Sequence, residues 1–209
     1  MLLSTPLVSI FPGARAAVLA VLAGPDVAFT GRQVASLVTP AMSLKAVQTA
    51  LNDLVVEGLV HRSVVGRAHQ YTFNHEHLTA SAIEGILGAR ASLFERIAST
   101  VSGWDSPPLA VWVFGSTARG DESATSDIDL MIIRGDHIDE DSDHWVDAVW
   151  SLTERVSVWT GLQCEALQFS STEAREGWRT GAPVLQDAAE QGLTVWGPAP
   201  REWVRSLKE

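Results

Sequence analysis

The chain has 209 residues, 46% hydrophobic and 19% charged, with a formal net charge of -10. That is enough for one large domain or two small ones with buried cores, so neither disulfides nor a structural metal is needed for folding. The single cysteine, Cys164, cannot form an internal disulfide, which fits a reducing, cytoplasmic setting. The apolar start lacks basic residues and is interrupted by Pro6 and Pro12, so it is not read as a secretory signal. No apolar run approaches the roughly 20 residues of a membrane span.

Charge is unevenly spread. Residues 1–77 hold five Lys/Arg against four Asp/Glu, whereas the remaining residues hold ten against 21. The asymmetry predicts two units with different partners, and the acidic second part argues against wholesale coating by nucleic acid.

In chain order, Ala14 to Ala23 is rich in Ala, Leu and Val and stops at Gly24-Pro25, the pattern of a helix and its terminator. Thr30 can cap a short helix running to Val38, which Thr39-Pro40 breaks. Ser43 can cap a longer helix with Leu44, Val47, Leu51, Leu54 and Val55 on one stripe, ended by Gly58. Leu59 to Val65 and Gln70 to Phe73 flank a Gly-containing turn and read as a hairpin. This order resembles a winged helix-turn-helix of bacterial regulators over about residues 12–74, on the stretch LNDLVVEGLVHRSVVGRAHQYTFN. The resemblance implies DNA contact through Ser43, Lys45, Gln48 and Thr49 of the recognition helix and Arg62, Arg67 and His69 of the wing. The plainer alternative is a protein-docking or dimerisation module. Winged-helix regulators commonly dimerise, which leaves a homodimer open.

His77 to about Val101 has helical spacing and either links the units or opens the second. After a turn-rich break at 102–108, Leu109 to Phe114 reads as a buried strand, Gly115 to Gly120 as a polar turn, and Asp127 to Ile133 as a second strand. Trp145 to Trp159 reads as a helix, Leu162 to Phe169 as a third strand, and the segments from Thr172 and Ala182 as further helices. Gly197-Pro198-Ala199-Pro200 reads as a linker to a short terminal helix. Of the eight tryptophans, Trp112, Trp145, Trp150 and Trp159 are expected in the core. The expected architecture is α+β: a winged helix-turn-helix at 1–77, then a small mixed-sheet domain at 78–209 with a linker helix and a tail.

The chemistry concentrates in VFGSTARGDESATSDIDLMII, which starts at Val113. A buried strand ends at Gly115, where a missing Cβ allows close approach of a ligand. Ser116 follows at an expected helix start, whose free amides favour phosphate oxygens. Arg119 adds a permanent charge; its plainer reading is a surface pair with Asp121 or Glu122. Asp127 and Asp129 lie two apart on a strand, so both carboxylates share a face while Ile128, Leu130 and Ile132 enter the core. Like charges this close repel, and Mg²⁺ held by hard oxygens relieves the repulsion. Glu165 is the only acid in the third strand and is the candidate third ligand. The acidic run Asp136 to Asp147, with His137 and His144, reads as a solvated loop and helix start rather than a metal site.

A Gly-Ser pair alone is an ordinary turn, and a lone Asp-x-Asp is often a solvated strand end. Together, ten residues apart and between apolar strands, they are similar to the polymerase-β-like nucleotidyltransferase superfamily, in its minimal branch, over about residues 84–197. The resemblance implies that Gly115, Ser116, Arg119 and Ser126 bind an NTP and that Asp127, Asp129 and Glu165 hold a two-metal Mg²⁺ site. Transfer of a nucleoside monophosphate to a hydroxyl on a protein, an RNA end or a small molecule is then expected, in one setting as an antitoxin-type modifier. The family often has Asp at the third position, and Glu165 is one methylene longer. The alternative is a nucleotide-sensing DNA-binding regulator whose transferase domain is inactive.

Overall fold

The computed structural model describes residues 1–123 and 125–206, and no helix among them is long and apolar enough to cross a membrane. Contacts divide the chain into Thr5–Ala89 and a second unit of Met1–Ser4 with Arg90–Glu209. The boundary differs from the one expected at residue 77 in both directions. Leu3 is buried in the second unit's core, and the Ser4 N–H donates to the Glu122 carboxylate. Ala80 is buried in the first unit's core.

In the first unit the elements are α1 (Pro6–Ile10), α2 (Ala14–Leu22), β1 (Phe29–Thr30), α3 (Gly31–Leu37), α4 (Leu44–Val56), β2 (Val60–Val65), β3 (Ala68–Phe73) and α5 (Ala80–Leu87). Thr30 accepts from the Gln33 N–H while Gln33 accepts from the Thr30 N–H, a reciprocal capping box. Ser43 accepts from the Ala46 N–H and opens α4. The chain leaves α4 through Gly58, at φ +78°, where the left-handed conformation suits glycine. Val47, Leu51 and Leu54 of α4 join Val18, Leu22, Val34 and Tyr71 in one core. The hairpin turns more tightly than expected, because Val65 pairs with Ala68 across Gly66 and Arg67. Two elements were not anticipated. One is α1. The other is β1, whose two residues pair with β3 to give an antiparallel sheet in the order β1-β3-β2. Both are too short to show a periodicity.

The expected long helix over 77–101 is broken at Gly88, so α5 ends and α6 (Ala89–Ser102) begins. The second unit continues with β4 (Ala110–Phe114), α7 (Gly115–Arg119), β5 (Ile128–Arg134), α8 (Asp143–Thr160), β6 (Cys164–Ser170), α9 (Ser171–Thr180), α10 (Pro183–Gln191), β7 (Leu193–Trp196) and α11 (Pro200–Ser206). The sheet order is β6-β5-β4-β7; β4 runs antiparallel to both β5 and β7, and β5 runs parallel to β6. Strand β7 was not anticipated, because Leu193 to Trp196 is only four residues and abuts a helix.

Both faces of β4 and β5 are buried. Val111, Val113, Ile128, Leu130 and Ile132 pack with Ile97 of α6 and Leu152 of α8. Trp112, Phe114, Met131 and Ile133 pack with Ala174, Leu185, Ala188 and Trp203 on the opposite face. Continuous apolar runs in β4 and β5 are the signature of such two-sided burial. Trp112 and Trp145 are buried as expected, but Trp150 is 64% exposed. It lies one residue after Val149, which faces the core, and a helix turns about 100° per residue.

Helix α9 is tied down at its start. Ser170 Oγ accepts from the Glu173 N–H at 3.1 Å, and Glu173 accepts from the Ser170 N–H at 2.7 Å. Asp136 accepts from the Thr172 N–H at 2.8 Å and its hydroxyl at 2.9 Å, and these bonds hold the Asp136 carboxyl below its usual range. Ser170→Ala is expected to lower stability in urea unfolding by about 1 kcal/mol. A group with a depressed folded-state pKa contributes its full stability above its ordinary value and loses it as pH falls. The stability gap between the parent and Asp136→Asn is therefore expected at pH 7 and should shrink as pH falls through and below 3.8.

Candidate active site

The site is built where β4 ends against β5. Phe114 pairs with Asp129, and the next residue, Gly115, turns the chain at φ +66°. A Cβ at Gly115 would overlap the Asp129 carboxylate. Glycine is thus required twice, for the left-handed backbone and for the space that Asp129 fills. On the other side, Asp129 is in register with Glu165 of the parallel strand β6, which places both side chains on one face. Asp127 directly precedes β5 and is exposed, as is Glu165, while Asp129 is partly buried.

The electrostatics follow from this crowding. Burial raises the Asp129 pKa, and the charges of Glu165, Asp127 and Asp187 raise it further, while Arg119 opposes them. Burial, with Asp129 and Glu165 nearby, also pushes the Cys164 thiol up to about 12, so it stays protonated at neutral pH. The three expected carboxylates therefore lie within electrostatic reach of one another. They are not drawn into one coordination sphere: among the described residues, no three His, Cys, Asp or Glu side chains lie close enough to hold an ion. The donor chemistry still fits Mg²⁺, which usually takes one or two carboxylates and completes its shell with substrate phosphates and water.

Ser116 is the second residue of α7, and the N–H groups of Gly120 and Asp121 both donate to its carbonyl, at 2.9 Å and 3.2 Å. Arg119 ends α7 with its Nε 3.2 Å from Asp121 and its Nη1 3.6 Å from Asp187 of α10. The pair with Asp121 matches the plainer expectation. Asp187 was missed, because a lone acid in a helix of the last third of the chain carries no motif. Ser126 Oγ accepts from the Ser123 N–H at 2.8 Å and closes a turn just before Asp127. Thr117 was also missed; it is buried, and its hydroxyl has no partner among the described residues.

The acidic run serves structure where it is engaged at all. Asp136 caps α9, Glu140 pairs with buried Arg134, and His144 lies 3.2 Å from Asp105.

In the first unit, Ser43, Gln48 and Thr49 are used locally. Ser43 caps α4, Gln48 donates to the Tyr71 hydroxyl at 2.9 Å, and Thr49 donates to the Lys45 carbonyl at 3.1 Å. Lys45, Arg62, Arg67 and His69 are exposed. Gln48, Arg67 and His69 line a cleft of about 420 Å³ together with Arg32, which sequence reasoning did not single out.

Residues 95–166 match the family model described as Polymerase beta, Nucleotidyltransferase. This stretch is a polymerase-β-type nucleotidyltransferase domain. It contains Gly115, Ser116, Asp127, Asp129 and Glu165 and stops before Asp187. A search of curated proteins finds no match. Among solved structures, a toxin-antitoxin with AMP-PNP is 17% identical, at TM-score 0.39, over 55% of this chain and 83% of that one. A mutant of the toxin-antitoxin MntA-HpeT is 14% identical, at TM-score 0.38, over the same 55% and 83%. TrmBL2, an archaeal chromatin protein, is 15% identical, at TM-score 0.25, over 86% of this chain and 71% of that one. These scores are too low to carry a fold or a role across.

In the nucleotidyltransferase domain, Gly115→Ala should move Asp129 and force an L-residue into the left-handed region. A loss of about 1–2 kcal/mol in urea unfolding is expected. Stability equal to the parent's would show that neither the overlap nor the conformation is strained.

Proposed function

We propose that the nucleotidyltransferase domain moves a nucleoside monophosphate from an NTP to a hydroxyl acceptor with the help of Mg²⁺. The observation that carries this reading is Asp129, seated in the space left by Gly115 and flanked by Asp127 and Glu165. Gly115 and Ser116 would bring the backbone close to a triphosphate, and Arg119, one turn along α7, would add a cation. Asp127 and Asp129, with Glu165, would hold the divalent cation. Bound there, it would offset the charge of the phosphates and of the departing pyrophosphate. The acceptor oxygen forms a bond to the α-phosphorus as the bond to the β-phosphate oxygen breaks. Glu165, exposed and in register with Asp129, would take the acceptor's proton. Ser126 supports the loop before Asp127 by closing its turn.

For the acceptor we propose a hydroxyl of a partner macromolecule, with a partner protein tested first, as for an antitoxin that modifies its toxin. Incubation with α-labelled NTP, Mg²⁺ and cell extract is expected to label one product. Asp127→Ala and Asp129→Ala are each expected to cut labelling by at least about a hundredfold. Labelling equal to the parent's in both variants would remove the assignment.

For the first unit we propose a winged helix-turn-helix that binds DNA through Lys45, Arg62, Arg67 and His69, with Arg32 added at the cleft. Ser43, Gln48 and Thr49 would then contribute through shape rather than free hydrogen bonds. Binding should weaken steeply as salt rises. Arg67→Ala should lower the salt slope of a gel-shift titration by about one. A flat salt response would exclude phosphate contacts.

Glu165, one methylene longer than the Asp often found at that place, leaves one second reading, a nucleotide-sensing regulator without turnover. It requires NTP binding with no labelled product, and DNA binding that NTP alters even in Asp129→Ala.

A further inference from the structure

We propose that Asp187 is a positioning residue that aims Arg119 at the triphosphate, a role that rests on the nucleotide reading of the Gly115-Ser116 turn. The guanidinium of Arg119 ends a helix of five residues, a support too short to aim a long side chain by itself. Two carboxylates flank it. Asp121 lies at Nε, two residues away in an exposed loop, and Asp187 lies at Nη1 from α10. Helix α10 is the rigid support of the two, because Leu185, Ala188 and Ala189 around Asp187 are buried in the core. Among the described residues, Nη2 has no acceptor, which leaves a donor for a phosphate oxygen. Arg119 lies one turn along α7 from Gly115, whose backbone packs against Asp129.

A carboxylate beside a triphosphate site needs a reason, because by charge alone it repels the ligand. Positioning supplies one. A guanidinium already held at one edge loses less freedom when its other edge meets phosphate. The two possibilities have opposite signs. If Asp187 is only a nearby negative charge, Asp187→Asn should tighten NTP binding. If Asp187 aims Arg119, Asp187→Asn should weaken it.

The test is isothermal titration of this chain with each of the four NTPs in Mg²⁺, with thermal unfolding of every variant as a control for folding. Asp187→Asn is expected to raise the Kd roughly threefold to fivefold, within the range of a partly exposed ion pair. Asp187→Glu should restore most of the affinity, because the longer carboxylate still reaches the guanidinium. In an Arg119→Ala background, Asp187→Asn should give no further loss, since the pair acts as one unit. An unchanged or lower Kd for Asp187→Asn with Arg119 present would overturn the inference, as would full additivity of the two substitutions. Failure of the parent to bind any NTP would overturn the nucleotide reading itself, and this inference with it.

Discussion

The packing of Asp129 against the bare backbone of Gly115 is the contact on which the chemistry proposed for the second unit depends. It brings the end of β4, the start of α7 and the acid of β5 to one point. A side chain at Gly115 would displace the carboxylate, and a different acid position on β5 would face the core instead. The strand pairing that sets Phe114 opposite Asp129 therefore also sets the geometry of the proposed site. The cost of placing Asp129 there is its partial burial beside like charges, and that cost gives a divalent cation something to relieve.

The rest of the sheet serves to hold that point still. Helices α6 and α8 bury one face, and α9, α10 and α11 bury the other. Parallel pairing of β5 with β6 carries Glu165 to the side of Asp129. The crossover through α8 that parallel pairing demands is long and apolar along its inner stripe, with Trp145, Val149, Leu152 and Val156 all buried. Helix α10 lies over the same face as Asp129 and supplies Asp187, so the site receives a residue from beyond the matched family segment.

The first unit is organised by a different constraint. Its small core needs α2, α3 and α4 together with Tyr71 of β3, and Tyr71 accepts from Gln48 of the helix expected to meet DNA. That bond fixes the helix to the hairpin. It also occupies a side chain that sequence reasoning had assigned to recognition. The cations that remain exposed, Lys45, Arg62 and Arg67, are those whose length and charge keep them in solvent.

Local pattern alone determined much of this protein. The apolar runs of β4 and β5, the caps at Thr30 and Ser43, and the Gly-Ser and Asp-x-Asp pairs at their spacing were legible because each depends on neighbours in sequence. Residues without such a pattern were decided only by tertiary structure. Strand β7 is too short to show a period and exists because β4 offers it an edge. Asp187 and Arg32 are single residues whose meaning comes from what folds against them. Trp150 faces outward because a helix turns it away from the core that holds Val149. The pairing of β5 with β6 sets Glu165 beside Asp129, and neither strand's own sequence shows that neighbour. Strand order and register are long-range pairings, and no window of sequence contains both partners.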